Sequence, residues 1–461
     1  MTIGKRMLAG LALLLCVSLL AACGNGVEDA EAVTLSPLTP LDTAKLDDYT
    51  SDSDTVAQLE VLENSFVGLE ATPAEKFTYT VENGSCTVTA YLGADSAVRI
   101  PETIEGVAVT ALGDSLFAER ETLQTLYIPD SVIALGKDML KGCTSLKALR
   151  LPLTETEVSD EAEATDAFFL GSLFGATRYE DNPRDVPPSL NYLELGGSAQ
   201  TLDAFALFEC RNIELIRLPE GMEVLGEFSI FGCEKLIAIN TEHLHALGER
   251  ALGTCRALTV LTFGESLSEI GIGALEGCSE LRALTLPFLG GSATQNTYLG
   301  YIFGAKVFDL SAGYYPQYLN RIELLATCTA IGDYALYECD MLTSVKLPDT
   351  VKTIGARSFS GCLYLSKLSV PKELTSIGDA AFFGCRSLDT LDFGATALSK
   401  IGVNAFYFCD GLTAVTLPNT VTALPSSCFA GCTKLAVINL DAVTSIGKNA
   451  FHSCPAFESI D

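Results

Sequence analysis

The feature that most constrains this chain is a cysteine that recurs every 22 to 24 residues in two runs. An Ile or Leu lies eight residues before each of them, and further apolar residues follow at three and six residues after it and, in most units, also at eight. A unit of about 23 residues cannot bury its apolar side by itself, so successive units must stack. The ten cysteines are Cys210, Cys233, Cys255, Cys278, Cys339, Cys362, Cys385, Cys409, Cys432 and Cys454.

Within one unit, the order Val345, Lys346, Leu347 alternates with period two, which predicts a short strand with Val and Leu facing inward and Lys outward. Pro348 ends that strand. The next segment, 351–355, predicts a second short extended piece that turns at its glycine into a small helical turn around Phe359. We therefore predict a mainly β solenoid of short parallel strands and short helical turns.

The combination of Ile377-Gly378, the run from Ala381 to Cys385 and then Leu388 resembles the BspA-like leucine-rich repeats of bacterial surface proteins. This resemblance covers residues 77–461. It implies a right-handed leucine-rich-repeat coil on a cell-surface protein of a family commonly linked to adhesion and to binding of host or matrix proteins.

The first residues are typical of an export signal. Lys5 and Arg6 precede an apolar stretch, 7–20, that is too short for a comfortable membrane span. The stretch ends in Leu20-Ala21-Ala22-Cys23, which resembles the lipobox of bacterial lipoproteins. That resemblance implies a signal peptide at 1–22 and a lipid on Cys23 that anchors the protein to the outer face of the cell membrane. The alternative is an ordinary secretory signal with an incidental cysteine.

Residues 23–76 form an acidic linker in which Lys45 is the only basic residue before Lys76, so we expect it to stay flexible and extended. One apolar cluster, 56–66, could form a short helix. The whole chain carries a formal charge of −29, which argues against nucleic-acid binding because phosphate contacts need clustered Lys and Arg.

Two insertions interrupt the repeat at about 153–189 and 288–318. The segment 170–176 corresponds to 299–305 at an offset of 129 residues, so the two insertions share one design. The first is acidic, whereas the second carries several aromatic residues, a type enriched at binding hot spots. Packing of the aromatic rings onto the solenoid flank is the alternative. Those singled out for binding are Tyr301, Tyr314 and Tyr315.

The cysteines are not expected to form a disulfide framework, because one column of side chains pointing the same way into the core is poorly placed for bridging. Buried thiols that donate weakly to turn carbonyls are the prediction. Neither a metal site nor a cofactor is expected: the three histidines, His243, His245 and His452, lack further ligands, and no nucleophile motif stands out.

The outward strand position, seven residues after each cysteine, is mostly neutral or basic and is the other candidate binding surface. A merely soluble strand face is the alternative. The expected function is non-catalytic binding of an extracellular protein or glycan, with self-association of an envelope protein at the C-terminal end and a glycan-active enzyme in the insertions as alternatives. The column comprises Arg150, Arg217, Asn240, Thr262, Thr285, Lys346, Ser369, Asp392, Thr416 and Asn439.

Overall fold

The computed structural model describes residues 53–153 and 168–457. The described chain is a parallel-strand β-solenoid of about 15 turns with repeats of about 23 residues and little helix, as the sequence predicts. The predicted signal peptide, Cys23 and most of the acidic part of the first insertion lie outside the described residues.

Each coil contributes one strand to a face that we call the wide sheet. Its strands hold the residues from five to seven positions after the cysteine, and neighbouring coils pair in parallel, as Ile322 does with Leu284 and Val345. In chain order they are β3 (Ala97–Arg99), β6 (Thr125–Tyr127), β7 (Ala148–Leu153), β8 (Tyr192–Gly197), β10 (Leu215–Arg217), β12 (Ala238–Ile239), β14 (Val260–Thr262), β16 (Ala283–Leu286), β17 (Arg321–Leu324), β19 (Ser344–Lys346), β21 (Lys367–Leu368), β23 (Thr390–Asp392), β25 (Ala414–Thr416) and β27 (Val437–Ile438).

Shorter strands form a second face, the narrow sheet, from the Ile or Leu column. Ile354 pairs with Ile331 and Ile377 in the two adjacent coils, and each of these side chains is about 2% exposed. These strands are β9 (Thr201–Leu202), β11 (Val224–Leu225), β13 (Ala246–Leu247), β15 (Glu269–Ile270), β18 (Ala330–Ile331), β20 (Thr353–Ile354), β22 (Ser376–Ile377), β24 (Lys400–Ile401), β26 (Ala423–Leu424) and β28 (Ser445–Ile446).

Glycine after the Ile column is explained by how closely the coils approach. A Cβ at Gly378 would lie 2.5 Å from the backbone nitrogen of Ala356 in the preceding coil. After this glycine the chain makes a tight turn of the 3₁₀ type, in which the Cys385 N–H donates to the Phe382 carbonyl at 3.1 Å. Each coil thus closes at its cysteine.

Aromatic rings stack inside the C-terminal half of the solenoid. Phe382 lies between Phe359 and Phe406, with ring centroids 5.0 and 5.3 Å away and interplanar angles of 11° and 2°. Phe406 stacks in turn on Phe429 at 5.1 Å. All four rings are fully buried, so the repeated Phe column is a continuous core element.

The cysteine column forms a ladder of weak hydrogen bonds. Cys385 donates its thiol to the Phe359 carbonyl at 3.1 Å, and Cys409 donates to the Phe382 carbonyl at the same distance. Each acceptor is the carbonyl at the corresponding turn of the preceding coil. Every described cysteine is free and buried, as predicted.

The first end of the solenoid is closed by a hairpin. β1 (Phe77–Glu82) pairs antiparallel with β2 (Ser85–Tyr91), which pairs in parallel with β5 (Val107–Leu112), and β4 (Thr103–Ile104) lies antiparallel to β5. Arg120, which replaces the cysteine in this atypical unit, donates to the Tyr91 carbonyl at 2.6 Å.

Before this hairpin, the linker forms a short helix over most of the apolar cluster 56–66, as the sequence suggested, and the helix begins three residues earlier. Helix α1 (Ser53–Glu63) continues into a 3₁₀ turn (Asn64–Phe66), and a second 3₁₀ turn (Ala74–Lys76) precedes β1. Leu62 of α1 is buried against the solenoid, so the expectation of a free linker over 23–76 is wrong for this part. Within the described residues, no helix is long and apolar enough to span a membrane.

Candidate binding surfaces

The ten outward residues of the wide sheet do not form one uniform face. Three of them cap the backbone of the preceding coil instead of facing a partner. Asn240 bonds both the N–H and the carbonyl of Leu218, at 2.8 and 2.9 Å. Asn439 makes the same pair of bonds to Leu417, and Ser369 makes them to Leu347. These side chains therefore satisfy backbone groups at the end of a strand, where the residue that follows the leucine is a proline without an N–H group.

Arg150 was predicted to be an exposed binding residue and is instead buried, with 7% of its surface exposed. Its guanidinium pairs with Asp130 at 2.8 Å and with Glu194 at 2.9 Å, donates to a backbone carbonyl and lies over the Tyr127 ring. Strands β6, β7 and β8 are held together by these contacts. The binding assignment of Arg150 is therefore corrected: its charge is satisfied within the sheet.

Arg217 is also occupied, because helix α1 lies over this part of the wide sheet. Glu63 of the helix forms an ion pair with Arg217. The linker residues Leu59, Leu62 and Phe66 pack against outward residues of β7, β8, β10 and β12. The N-terminal part of the predicted binding face is thus covered by the protein's own linker.

The remainder of the wide sheet is open. Thr262, Asp392 and Thr416 are exposed and Thr285 is partly exposed, whereas Lys346 is exposed but lies 2.5 Å from the Glu323 carboxylate on the neighbouring strand. The basic character expected for this column is consequently reduced, since its three cations all have carboxylate partners.

The two insertions are copies of one structure. Each contains a 3₁₀ helix, Leu170–Phe174 or Leu299–Phe303, that ends at a left-handed glycine, Gly175 (φ 98°) or Gly304 (φ 99°). The two helices are also anchored in the same way. The backbone N–H groups of Leu170 and Leu299 each donate at 2.8 Å to the corresponding carbonyl of the next coil.

The second halves of the insertions also correspond. The first forms a 3₁₀ turn (Tyr179–Asp181) followed by helix α2 (Asn182–Asp185), and the second forms a 3₁₀ helix (Phe308–Gly313). Tyr179 stacks on Phe205 at 4.2 Å, and its counterpart Phe308 stacks on Tyr334 at 3.8 Å.

The three tyrosines nominated in the second insertion have different roles. Tyr315 is 8% exposed, donates its hydroxyl to the Tyr337 carbonyl at 3.1 Å and contacts the Phe303 ring edge-on, so it is a packing residue. Tyr301 is partly buried against the core. Tyr314 is 41% exposed and alone of the three faces outward.

Three further apolar residues within seven positions of Tyr314 are exposed, and the sequence analysis nominated none of them. Val307 is 47% exposed, Leu310 is 54% exposed and Tyr318 is 41% exposed. A comparison of the two insertions at the offset of 129 residues would have identified these positions, because their counterparts in the first insertion are polar. The counterparts are Arg178, Asp181, Asp185 and Ser189.

The charged counterparts in the first insertion form ion pairs with one another. Arg184 lies 3.2 Å from Asp181 and 2.7 Å from Asp185, and Arg178 lies 4.0 Å from Asp181. Corresponding positions therefore carry paired charges in the first insertion and exposed apolar side chains in the second. We call Val307, Leu310, Tyr314 and Tyr318 the apolar patch.

The thiols are held in their protonated form. Burial raises the pKa of Cys143 to about 11 and that of Cys233 to about 12. A nucleophilic cysteine needs the opposite shift. Burial also lowers the pKa of His243, while His245 pairs with Glu223 at 3.1 Å. His243 is therefore less solvated than expected for a loop histidine.

A cleft of about 200 Å³ lies at the first end of the solenoid. Its polar groups bond one another: the Tyr91 hydroxyl donates to Asp95, which also pairs with Lys76 at 2.8 Å. Burial raises the pKa of Tyr91 to about 12. Within the described residues no cluster of three or more His, Cys, Asp and Glu side chains could hold a metal ion.

Stacked coils, parallel strands and an Ile-Gly column define a leucine-rich-repeat protein. The sequence matches the BspA type leucine rich repeat region, in six copies, over residues 97–164, 187–298 and 329–458. These ranges cover more than half of the chain, which therefore belongs to this family.

Two solved structures are similar to the chain. A leucine-rich repeat protein from Bacteroides ovatus is 22% identical, with a TM-score of 0.41, over 85% of this chain and 82% of that one. A leucine rich cell surface protein from Faecalibacterium prausnitzii is 23% identical, with a TM-score of 0.33, over 80% and 94% of the two chains. No curated protein matches the sequence significantly.

Proposed function

We propose that this protein is a lipid-anchored surface protein that binds another protein, without catalysis, through the apolar patch and the adjoining open part of the wide sheet. One observation carries the proposal: the internal duplication provides a second insertion that, in its described residues, carries ion pairs at the positions corresponding to Val307, Leu310 and Tyr314.

The duplication separates folding requirements from surface chemistry. Positions that pack are preserved in character, since Tyr315 and its counterpart Val186 are each 8% exposed. Positions that face solvent are not preserved, because charged residues in the first insertion are replaced by Val307, Leu310 and Tyr314. Exposed apolar groups that folding does not require are typical of interaction sites.

The composition of the patch favours a protein partner over a glycan. Val307 and Leu310 are aliphatic and offer no flat ring on which a sugar can stack, while Tyr314 supplies the large, amphipathic contact typical of protein interfaces. The surrounding insertion, residues 299–320, contains only Lys306 and Asp309 as charged residues, so apolar contact dominates.

The test exchanges the surface of one insertion for that of the other. The triple variant Val307→Arg, Leu310→Asp, Tyr314→Asp carries side chains that this backbone already accommodates in the first insertion. We expect it to fold normally and to lose at least tenfold in affinity for any partner found on an array of purified extracellular proteins and glycans.

The matched control changes the first insertion, with Arg178→Ala and Asp185→Ala, and should bind like the unaltered protein. Equal binding by the triple variant would refute the patch as the site. Selection of glycans alone from the array would refute the choice of a protein partner. A second pair of variants, Lys346→Glu and Thr416→Arg, tests whether the open part of the wide sheet also contributes.

The surface location rests on the signal sequence and on Cys23. We expect Cys23→Ser to abolish incorporation of labelled fatty acid and to release the protein from the membrane fraction of a host that processes bacterial lipoproteins. An acylated variant would show that another residue carries the lipid. Unchanged membrane association without acylation would refute the lipid anchor.

A further inference from the structure

Helix α1 lies on the face of the solenoid rather than at its end. The end of the coil stack is already covered by strand β1, which pairs along the whole of β2. The helix therefore is not needed to cap the repeats. It lies on the wide sheet, on the face that leucine-rich-repeat proteins use for binding.

Apolar side chains anchor the helix at helical spacing. Leu59, Leu62 and Phe66 are three and four residues apart and so share one side of the segment. Leu62 is buried to 7% exposure, and Phe66 contacts the rings of Tyr127 and Tyr192 at centroid distances of 5.6 and 5.4 Å.

The sheet beneath the helix presents an apolar row of outward residues from four strands. On later coils the same outward position is mixed, because Arg321, Lys367 and Thr390 are exposed there and so are Val260 and Val437. We call this row, together with Arg217, the helix-docking site. Its apolar members are Ala148, Tyr192, Leu215 and Ala238 in the row, with Tyr127 on the adjacent outward position beside Arg150.

Side chains alone hold the helix in place. Glu63 pairs with Arg217, and the Gln58 amide donates to the Glu214 carboxylate at 2.6 Å. Within the described residues, the first backbone hydrogen bond from the linker to the solenoid is made by Thr72, whose N–H donates to the Arg99 carbonyl at 2.9 Å. The segment before it can leave without breaking any strand pairing.

We propose that the helix-docking site is a receptor surface for an acidic amphipathic helix of another protein, and that α1 is its built-in competitor. A partner helix would present apolar residues at positions i, i+3 and i+7 and a carboxylate facing Arg217, which is the helix-in-groove mode of recognition. The closed state is the one in which the protein's own linker occupies the site.

The inference is independent of the proposed function, because it concerns a different surface. The apolar patch lies on the second insertion, whereas the helix-docking site lies on strands β6 to β12. Substitutions in the apolar patch do not alter the helix-docking site, so a negative result for one proposal does not refute the other.

The test uses the exported chain from Cys23 onward with Cys23→Ser and a fluorescent peptide of residues 53–70. In the released variant, Leu62→Asp with Phe66→Asp, the tethered helix no longer competes, so we expect the peptide to bind at least tenfold more tightly than to the chain with an intact helix. Tethering confers an effective concentration on the order of millimolar, which explains the expected exclusion.

Three controls make the result specific. Val61→Asp alters a helix residue that is 72% exposed and should leave the site closed. A peptide carrying the same two Asp substitutions should not bind. Arg217→Glu in the released variant should weaken the peptide, and Glu63→Lys in the peptide should restore binding.

Equal peptide binding by the released and intact chains, or none by either, would overturn the proposal. Hydrogen exchange on the intact chain gives an independent measurement. We expect the amides of α1 to exchange much faster than those of β8, because the helix opens without the sheet. If both exchange at the same slow rate, the helix is a fixed part of the fold and the proposal fails.

Discussion

Truncation of Phe382 to Ala tests whether each coil is stabilised chiefly by its immediate neighbours. The ring is fully buried between two parallel rings at 5.0 and 5.3 Å. Removing a buried Phe side chain costs about 3 to 5 kcal/mol, and this site cannot collapse easily because rigid coils hold both neighbouring rings. We expect a loss of about 4 kcal/mol in the free energy of local opening.

Labelling of the buried thiols measures this opening coil by coil. Cys385 closes the same turn, and its thiol reacts only when the coil opens, because burial raises its pKa and excludes the reagent. Since about 1.4 kcal/mol corresponds to a factor of ten, labelling of Cys385 should accelerate roughly 10³-fold. Cys143, near the other end of the solenoid, should keep its rate, because coils contact only their neighbours.

Phe451→Ala provides the matched control near the end of the stack. This ring is only partly buried, although it also lies between two rings, at 5.8 and 4.7 Å. Its loss should accelerate labelling of Cys385 far less. Equal acceleration of Cys143 and Cys385 in the Phe382 variant would show that the solenoid opens as one unit. An acceleration below tenfold would show that the ring stack contributes little.

Three further substitutions test individual contacts by urea denaturation. Cys385→Ser should destabilise more than Cys385→Ala, because the shorter C–O bond moves the donor away from its carbonyl and leaves a buried hydroxyl unsatisfied at a cost of about 1 to 3 kcal/mol; the reverse order would contradict the thiol ladder. Asn439→Asp retains the acceptor for the Leu417 N–H but loses the donor to its carbonyl, so a loss of about 1 kcal/mol is expected, against less than about 0.5 for the exposed Thr416→Ala. Burial, opposed by a hydrogen bond from Tyr337, raises the pKa of Glu338, so folding favours its neutral form. Glu338→Gln should therefore be the more stable protein at pH 7, and its advantage should shrink as pH falls through the raised pKa and vanish below the pKa of the unfolded chain; an advantage that persists at low pH would assign the effect to packing.

Much of the fold follows from the sequence because the repeat is a packing constraint. Three features leave the coil little conformational freedom. The Ile residues of successive coils must pair with one another, the thiol fits only one corner of the coil, and the glycine lies where an added Cβ would be 2.5 Å from the preceding coil. Cys362, Ile377 and Gly378 therefore identify the coil from their spacing alone. The shared design of the insertions is likewise readable, because an offset of 129 residues preserves Leu170 and Leu299 in register.

The candidate site was harder to predict, because strand alternation tells which way a side chain points and not what it meets. Arg150 and Lys346 both lie at outward positions as expected, yet each pairs with a carboxylate on a neighbouring strand, Glu194 or Glu323. Asn240 turns back to the backbone of Leu218 in the preceding coil. Contacts of this kind depend on residues 20 or more positions away in sequence, which no local period reports.

The structure of the linker also depends on contacts that its own sequence does not reveal. An acidic composition with few basic residues predicts extended chain, since such a segment cannot build its own core. Leu59, Leu62 and Phe66 need no core of their own, because the outward side chains of four strands supply one. A short helix that is marginal alone is stabilised by docking. Composition describes a segment in isolation, whereas its structure here is decided by a surface that the repeats create.

Function in a solenoid of this kind should be sought where the columns are broken. Residues that recur at the same position of each repeat, such as Asn439 and Cys409, are explained by contacts between stacked coils. Their presence therefore does not indicate a binding partner. Stacking does not explain an apolar surface on one insertion when its duplicate folds with ion pairs, nor an apolar row beneath a removable helix. The decisive comparison is internal: if exchanging Val307, Leu310 and Tyr314 for their charged counterparts changes neither binding nor stability, the difference between the two insertions has no role in recognition, and the open part of the wide sheet becomes the remaining candidate.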